Sequence, residues 1–210
     1  MSLNSSLGTI TEYRGVEGLV AAEVLTDDNE ESGGYTTGPV FSIAGVAEIS
    51  KSTESSSEVH YYDNMPAISI SSVGSDEITC SVSAIPLEVL AKVTGQNYNE
   101  ELGALIEGDG DNKYFALGYK TQKTNGDEVY VWRYKGTFSI PESTHATKND
   151  GTDANGQEIT YTGISTTHKF KKNNNKGAKS INVDVAKGLA NVETFFDNVT
   201  TPDNLQVVSG

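Results

Sequence analysis

The stretch Phe115-Ala116-Leu117-Gly118-Tyr119-Lys120-Thr121-Gln122-Lys123-Thr124-Asn125-Gly126-Asp127-Glu128-Val129-Tyr130-Val131-Trp132-Arg133-Tyr134-Lys135-Gly136-Thr137-Phe138 decides the fold. Asn-Gly between two alternating apolar runs is the strongest short-range signal for a β-hairpin, because a type I′ turn needs positive φ at both central residues. A two-residue turn at Asn125-Gly126 predicts that Lys123 faces Glu128, Thr121 faces Tyr130, Tyr119 faces Trp132, Leu117 faces Tyr134 and Phe115 faces Gly136. One face is then aromatic and apolar. The other, with Lys120, Arg133, Lys135, Thr137 and Ser139, reads as wet. The pattern continues to Ile140 before Pro141 stops it, so the hairpin is expected over about 114–140. At about 3.3 Å per residue the return strand reaches roughly 40 Å, about twice a common strand. Such lengths serve barrels and extended assemblies.

Working outward, 210 residues bury one good core, so a single domain over 16–199 is expected, with flexible arms at 1–15 and 200–210. Hydrophobic content is 36%, and Gly, Ser, Thr and Asn are abundant, a mixture that suits an all-β domain with many turns. Fifteen Lys and Arg against 29 Asp and Glu give a net charge of −14, which repels phosphate and argues against nucleic-acid binding by counterion release. Cys80 is the only cysteine, which excludes an intrachain disulfide; its alternating surroundings place it as a small buried hydrophobe. The first ten residues lack the basic-then-apolar pattern of a secretory leader, and no run reaches the 18–20 apolar residues of a membrane helix. Synthesis in a reducing cytoplasm is the expectation.

Strands are expected at 18–25, 41–49, 59–62, 77–83 and 180–185, with a β-rich stretch at 158–170. Residues 50–58 are serine-rich and read as a loop or a polar strand edge, while 63–66 and 74–76 read as turns. Residues 86–94 predict a short helix, with Pro86 at its first position, Gly95 just past its end, and Leu87, Leu90 and Ala91 on one side. So short a helix must dock on the sheet to persist. Leu189, Val192, Phe196 and Val199, spaced 3, 4 and 3, predict a second helix over about 189–199. The polar segments 27–35 and 144–156 are expected to order only on a partner.

Chemistry-bearing patterns are missing, and no catalytic, cofactor-binding or metal-ligating residue is nominated. His60, His145 and His168 each stand alone, without a second ligand at zinc spacing. Asp109-Gly110-Asp111-Asn112 starts like a calcium loop, but Lys113 and Lys120 fall where ligands belong, so a turn is expected. No nucleophile elbow, P-loop or dinucleotide fingerprint occurs. Asn4-Ser5-Ser6 and Asn198-Val199-Thr200 match the glycosylation pattern, which carries no weight without a secretory leader. The stripe Tyr130, Trp132 and Tyr134 is the one candidate sugar platform; at strand spacing, core or subunit packing is the expected role.

Several blocks together resemble the major tail proteins of phages and prophages of Gram-positive bacteria, the tail-tube subunits of long non-contractile tails. The resemblance runs from about Gly15 to Val199. Its most specific blocks are Tyr114-Phe115-Ala116-Leu117-Gly118-Tyr119-Lys120, Asn125-Gly126, Tyr130-Val131-Trp132-Arg133-Tyr134-Lys135-Gly136-Thr137-Phe138 and Thr147-Lys148-Asn149-Asp150. Tyr62-Asp63-Asn64 with Pro66, Ile85-Pro86-Leu87-Glu88-Val89, and Phe195-Phe196-Asp197-Asn198-Val199 support it. Asn149 departs from the pattern, where relatives often have Gly.

The resemblance implies a mainly-β, sandwich- or barrel-like tail-tube fold with a docked helix, and six copies per ring. Rings stack, and strands from all subunits close an inner barrel around a DNA channel. It further implies a virion protein without cofactor or enzymatic activity, assembled in the host cytoplasm. Its partners would be its own copies and the tape-measure, tail-terminator and distal tail proteins; double-stranded DNA would pass without specific binding, and no membrane is involved. A net-negative channel wall is expected, since a basic lining would hold DNA at many phosphates. The other reading left open is a non-enzymatic carbohydrate-binding or adhesive β-domain using the aromatic stripe.

Overall fold

A computed structural model describes residues 10–28, 34–143 and 156–208. The strands are β1 (Tyr13–Asp27), β2 (Tyr35–Thr37), β3 (Phe41–Ser42), β4 (Val46–Tyr62), β5 (Met65–Val82), β6 (Asn97–Asn99), β7 (Ala104–Ile106), β8 (Phe115–Lys123), β9 (Glu128–Phe138), β10 (Glu142–Ser143), β11 (Gln157–Ile164) and β12 (Ser180–Asp184), with one α-helix, α1 (Leu87–Thr94). The chain is mainly β, as expected. One antiparallel sheet runs β2-β1-β8-β9-β11-β5-β4, with β3 beside β1, β12 beside β9 and β10 beside β11. Strand β1 therefore bonds to a strand roughly a hundred positions downstream, pairing Ala22 with Ala116 and Val16 with Thr121. A separate ribbon of β6 and β7 stands beside α1.

The hairpin of β8 and β9 forms, but its register is one residue away from the sequence expectation over most of its length. Tyr119 pairs with Val131, Gly118 with Trp132 and Leu117 with Arg133; only Phe115 meets its expected partner, Gly136, after a bulge. The cause is the turn. The Lys123 amide donates to the Asp127 carbonyl at 2.7 Å and the Gly126 amide to the Lys123 carbonyl at 2.9 Å, closing a three-residue loop. Positive φ is found at Gly126 (+89°) and not at Asn125. This is the turn followed by a left-handed glycine that also favours Asn-Gly, and it adds one residue to the count.

A one-residue slip sends side chains to opposite faces. Tyr119, Val129 and Val131 point into a core built from β1, β5, β8, β9 and β11, where the curled sheet folds over Leu19, Ile78, Cys80, Phe115, Ile159 and Tyr161. Trp132 and Tyr134 lie on the other face with Ala22, Ala116, Phe170, Phe195 and Val199. Trp132 therefore does not pack on Tyr119, and the outer face is not wet. The Trp132 ring lies directly over Gly118, where a Cβ would come within 2.8 Å of it. Its Nε1–H donates to the Phe195 carbonyl at 2.8 Å, which fastens the C-terminal segment across the sheet. Arg133 is buried on the inner face, and Lys135 is held by Asp27 at 2.6 Å.

Helix α1 caps the inner core with Leu90, Ala91 and Val93, while Leu87 stays half exposed. Gly95 ends it in the left-handed conformation; a side chain there would collide with the Asp111 carbonyl. The second expected helix does not form. Residues 193–199 are a succession of turns, with Phe195 bonded to Val192 and Asp197 to Thr194. Phe195, outside the 3-4-3 pattern, is the residue that is 2% exposed, whereas Leu189 is 68% exposed. The bonds of Trp132 and of the Thr200 hydroxyl to the Phe195 carbonyl fix this path more strongly than helix periodicity. The segment expected as a free tail is also tied down. Asp203 accepts from the amides of Lys171 and Lys172, and Val207 bridges to Ala190. The expected N-terminal arm gives way to strand at Tyr13, and residues 29–33 and 144–155 of the two expected partner-ordered loops lie outside the described residues.

Candidate assembly surface

The longest hairpin of the molecule is β4–β5, in the segment read from sequence as short strands, a polar edge and turns. Asp63 and Asn64 both take positive φ, +51° and +65°, and Tyr62 pairs with Met65 across them. The two-residue turn with both central residues left-handed is thus here, not at Asn125-Gly126. Residues 50–74 are exposed throughout except His60, which is half-buried. At about 3.3 Å per residue, residues 53–62 carry the tip roughly 30 Å beyond the body.

Backbone pairing and serine hydroxyls hold this ribbon. Ser56 and Ser72 hydroxyls meet at 2.7 Å, and Ser57 and Ser69 at 3.4 Å. Glu58 opposite Ile70 and His60 opposite Ile68 fill one face, with Val59 and Val73 on the other. Val59, Tyr61, Tyr62, Met65, Ile68, Ile70 and Val73 are all among the exposed large hydrophobics. A two-stranded ribbon wet on both faces is marginal in water, and exposed apolar side chains concentrated in one place mark an interaction site. Beyond Asp76 the outer edge of β4 bonds to no described strand, leaving a row of free amides and carbonyls.

A buried charge cluster anchors the hairpin where it leaves the body. Asp76, 4% exposed, accepts from Arg133 Nη1 at 2.8 Å, the Thr53 hydroxyl at 2.9 Å and Lys179 Nζ at 3.2 Å, with Lys51 Nζ at 3.7 Å. Lys179 also donates to the Gly74 carbonyl. Burial alone would raise the Asp76 carboxyl, but the Thr53 hydroxyl and the Lys179 and Lys51 ammonium groups outweigh it and hold its pKa below the usual range. Asp27 makes a second clasp. Burial is opposed there by the His168 and Thr167 amides and by Lys135, and the pKa is lowered.

Among the described residues none of the sequence candidates assembles into a reactive site. Among the described residues no group of three His, Cys, Asp or Glu side chains is placed to hold a metal ion. His60 rides on the hairpin, His168 packs edge-on to Phe170, and His145 lies outside the described residues. Cys80 is buried as expected, and burial pushes its thiol up to about 12, so it stays protonated. Trp132 and Tyr134 are fully buried under the C-terminal segment and offer no open aromatic platform. No described helix is long and apolar enough to cross a membrane. The hairpin left no sequence signal of burial periodicity because neither of its faces meets the core; the readable clue was Asp63-Asn64 between alternating runs. No protein-family model matches the chain, and no curated protein matches it.

Proposed function

We propose that the chain is a self-associating structural subunit, the tail-tube protein of a long non-contractile phage tail, whose copies form rings that stack into a conduit for double-stranded DNA. One observation carries this reading: a hairpin projecting roughly 30 Å, with apolar side chains and a free strand edge that a second copy would cover. Closing such edges into a continuous barrel removes the aggregation hazard that an isolated subunit presents. The sequence resemblance supplies the identity of the assembly, including six copies per ring and the tape-measure, tail-terminator and distal tail proteins as further partners. The charge of −14 supports a wall that lets phosphate pass without holding it.

Electron microscopy of the purified chain, concentrated alone and with tail-initiator components, tests the proposal. Rings or tubes are expected under one of the two conditions. A strictly monomeric species under both would overturn it.

A further inference from the structure

The curled sheet does not close. Residues 13–17 of β1 bond only to β8, because β3 and β2 join that strand further along, at Val20 and Val24. Strand β4 bonds only to β5. Between these free edges a cavity of about 480 Å³ opens onto the inner face, floored by Val16, Ile49, Val129 and Val131. Arg14, Lys51 and Arg133 line it, against the single carboxylate of Glu48. Arg14 has no ion pair among the described residues. Arg133 is 6% exposed and its Nε has no acceptor, although Nη1 is held by Asp76 and Nη2 lies 3.5 Å from the Tyr119 hydroxyl. Asp76 is shared among Arg133, Lys51 and Lys179, so cations exceed carboxylates around the seam of an otherwise acidic molecule.

The complementary feature is a separate surface of the same body. The ribbon of β6 and β7 and the loop after it expose Glu100, Glu101, Glu107, Asp109 and Asp111 together with Leu102 and Ile106. None of those five carboxylates has an ion pair among the described residues. This corner sits against α1, whose Lys92 lies over Phe41, and Phe41 packs on Phe115 at the start of β8. The cavity opens beside Thr121, near the end of β8. No residue of 97–111 lines the cavity, so within one subunit the corner does not fill the seam.

We propose that the seam between β1 and β4 is a receptor for the acidic corner of a second copy of this chain, with Leu102 and Ile106 on the apolar floor and the carboxylates of residues 107–111 against Arg14 and Lys51. The contact joins two different surfaces of the chain, so it propagates from copy to copy instead of closing a dimer. This inference rests on the tube reading and specifies one of its contacts.

A charge exchange between full-length chains tests it. One variant carries Arg14→Glu with Lys51→Glu, the other Glu107→Lys, Asp109→Lys and Asp111→Lys; assembly is followed by sedimentation and electron microscopy at low salt. Each variant alone is expected to need at least about tenfold more protein to assemble, as like charges oppose across the contact. An equimolar mixture is expected to assemble as the wild type does, because every seam then meets an opposite charge. Circular dichroism checks that both fold, and Arg14→Glu alone replaces the first variant if Lys51→Glu disturbs the hairpin base. Variants that assemble like the wild type, or a mixture no better than its parts, would overturn the seam contact while leaving the tube intact. A wild-type chain that never assembles would overturn both.

Discussion

Replacing Asp76 with Ala removes the one carboxylate that faces Arg133, Lys179 and Lys51 at the root of the hairpin. Lys179 and Lys51 can turn to water, since their side chains are 23% and 38% exposed. Arg133 cannot: its side chain is 8% exposed, its Nε already lacks an acceptor, and only the Tyr119 hydroxyl at 3.5 Å remains within reach. Leaving a buried charge without its partner costs about 3–5 kcal/mol. With an m-value of about 2 kcal/mol/M, the urea midpoint of Asp76→Ala should fall by roughly 1.5–2.5 M at unchanged slope. The second arm of the experiment separates pairing from mere packing. Because exchanging a whole buried pair for apolar groups is often neutral, Asp76→Ala combined with Arg133→Leu should recover most of the loss. A single variant losing less than about 1 kcal/mol, or a double variant no more stable than Asp76→Ala, would refute the buried-charge account.

Further outcomes follow from the same geometry. Gly118→Ala should cost about 1–3 kcal/mol by forcing the Trp132 ring off its seat, whereas Gly108→Ala, with nothing within 4 Å, should be close to neutral in the same urea titration. Trp132 is the only tryptophan and fully buried, so folded protein should emit at short wavelength and shift red on unfolding; Trp132→Ala should cost about 3–5 kcal/mol. Asp27, Asp76 and Asp203 all have lowered pKa values in the folded state. Their contribution is therefore complete above the unfolded carboxylate pKa of about 3.9 and is lost as pH falls through the lower folded values, which urea midpoints between about pH 2 and 6 would show. Tyr62→Ser with Met65→Ser, at the exposed tip, should leave monomer stability within about 0.5 kcal/mol and abolish assembly seen by electron microscopy.

The parts of the fold legible in the sequence are those with strong apolar alternation or clear end signals. Alternation exposed β8 and β9, and Pro86 with Gly95 bracketed α1 to within a residue. Register was not legible, because Asn-Gly serves both a two-residue turn and a three-residue loop, and only the hydrogen bonds of Lys123 tell them apart. The β4–β5 ribbon stayed hidden for a different reason. Its serines face water on both sides, so no periodicity distinguishes strand from loop there. Phe195 and Phe196 are adjacent aromatics, and the sequence could not say which one the Trp132 bond would draw inward. The seam was beyond reach too, since Arg14, Lys51 and Arg133 are brought together only by the sheet's curl.

The pairing of β1 with β8 also sets a timetable for synthesis. When the end of β1 at Asp27 leaves the ribosome, β8, which will bond to the Tyr13–Glu23 part of β1 and ends at Lys123, has not been made. At about 5–20 residues per second the wait is on the order of 5–20 s. During that interval the local β4–β5 ribbon can zip, but no core exists to hold it. Trp132 in turn waits a further 63 positions for the Phe195 carbonyl. From Val82 onward the nascent chain thus carries its exposed apolar ribbon residues before the strands of its body are complete. The serines and the charged Lys51, Glu54 and Glu58 of β4 dilute that apolar surface, and charges on an edge strand oppose pairing between early ribbons.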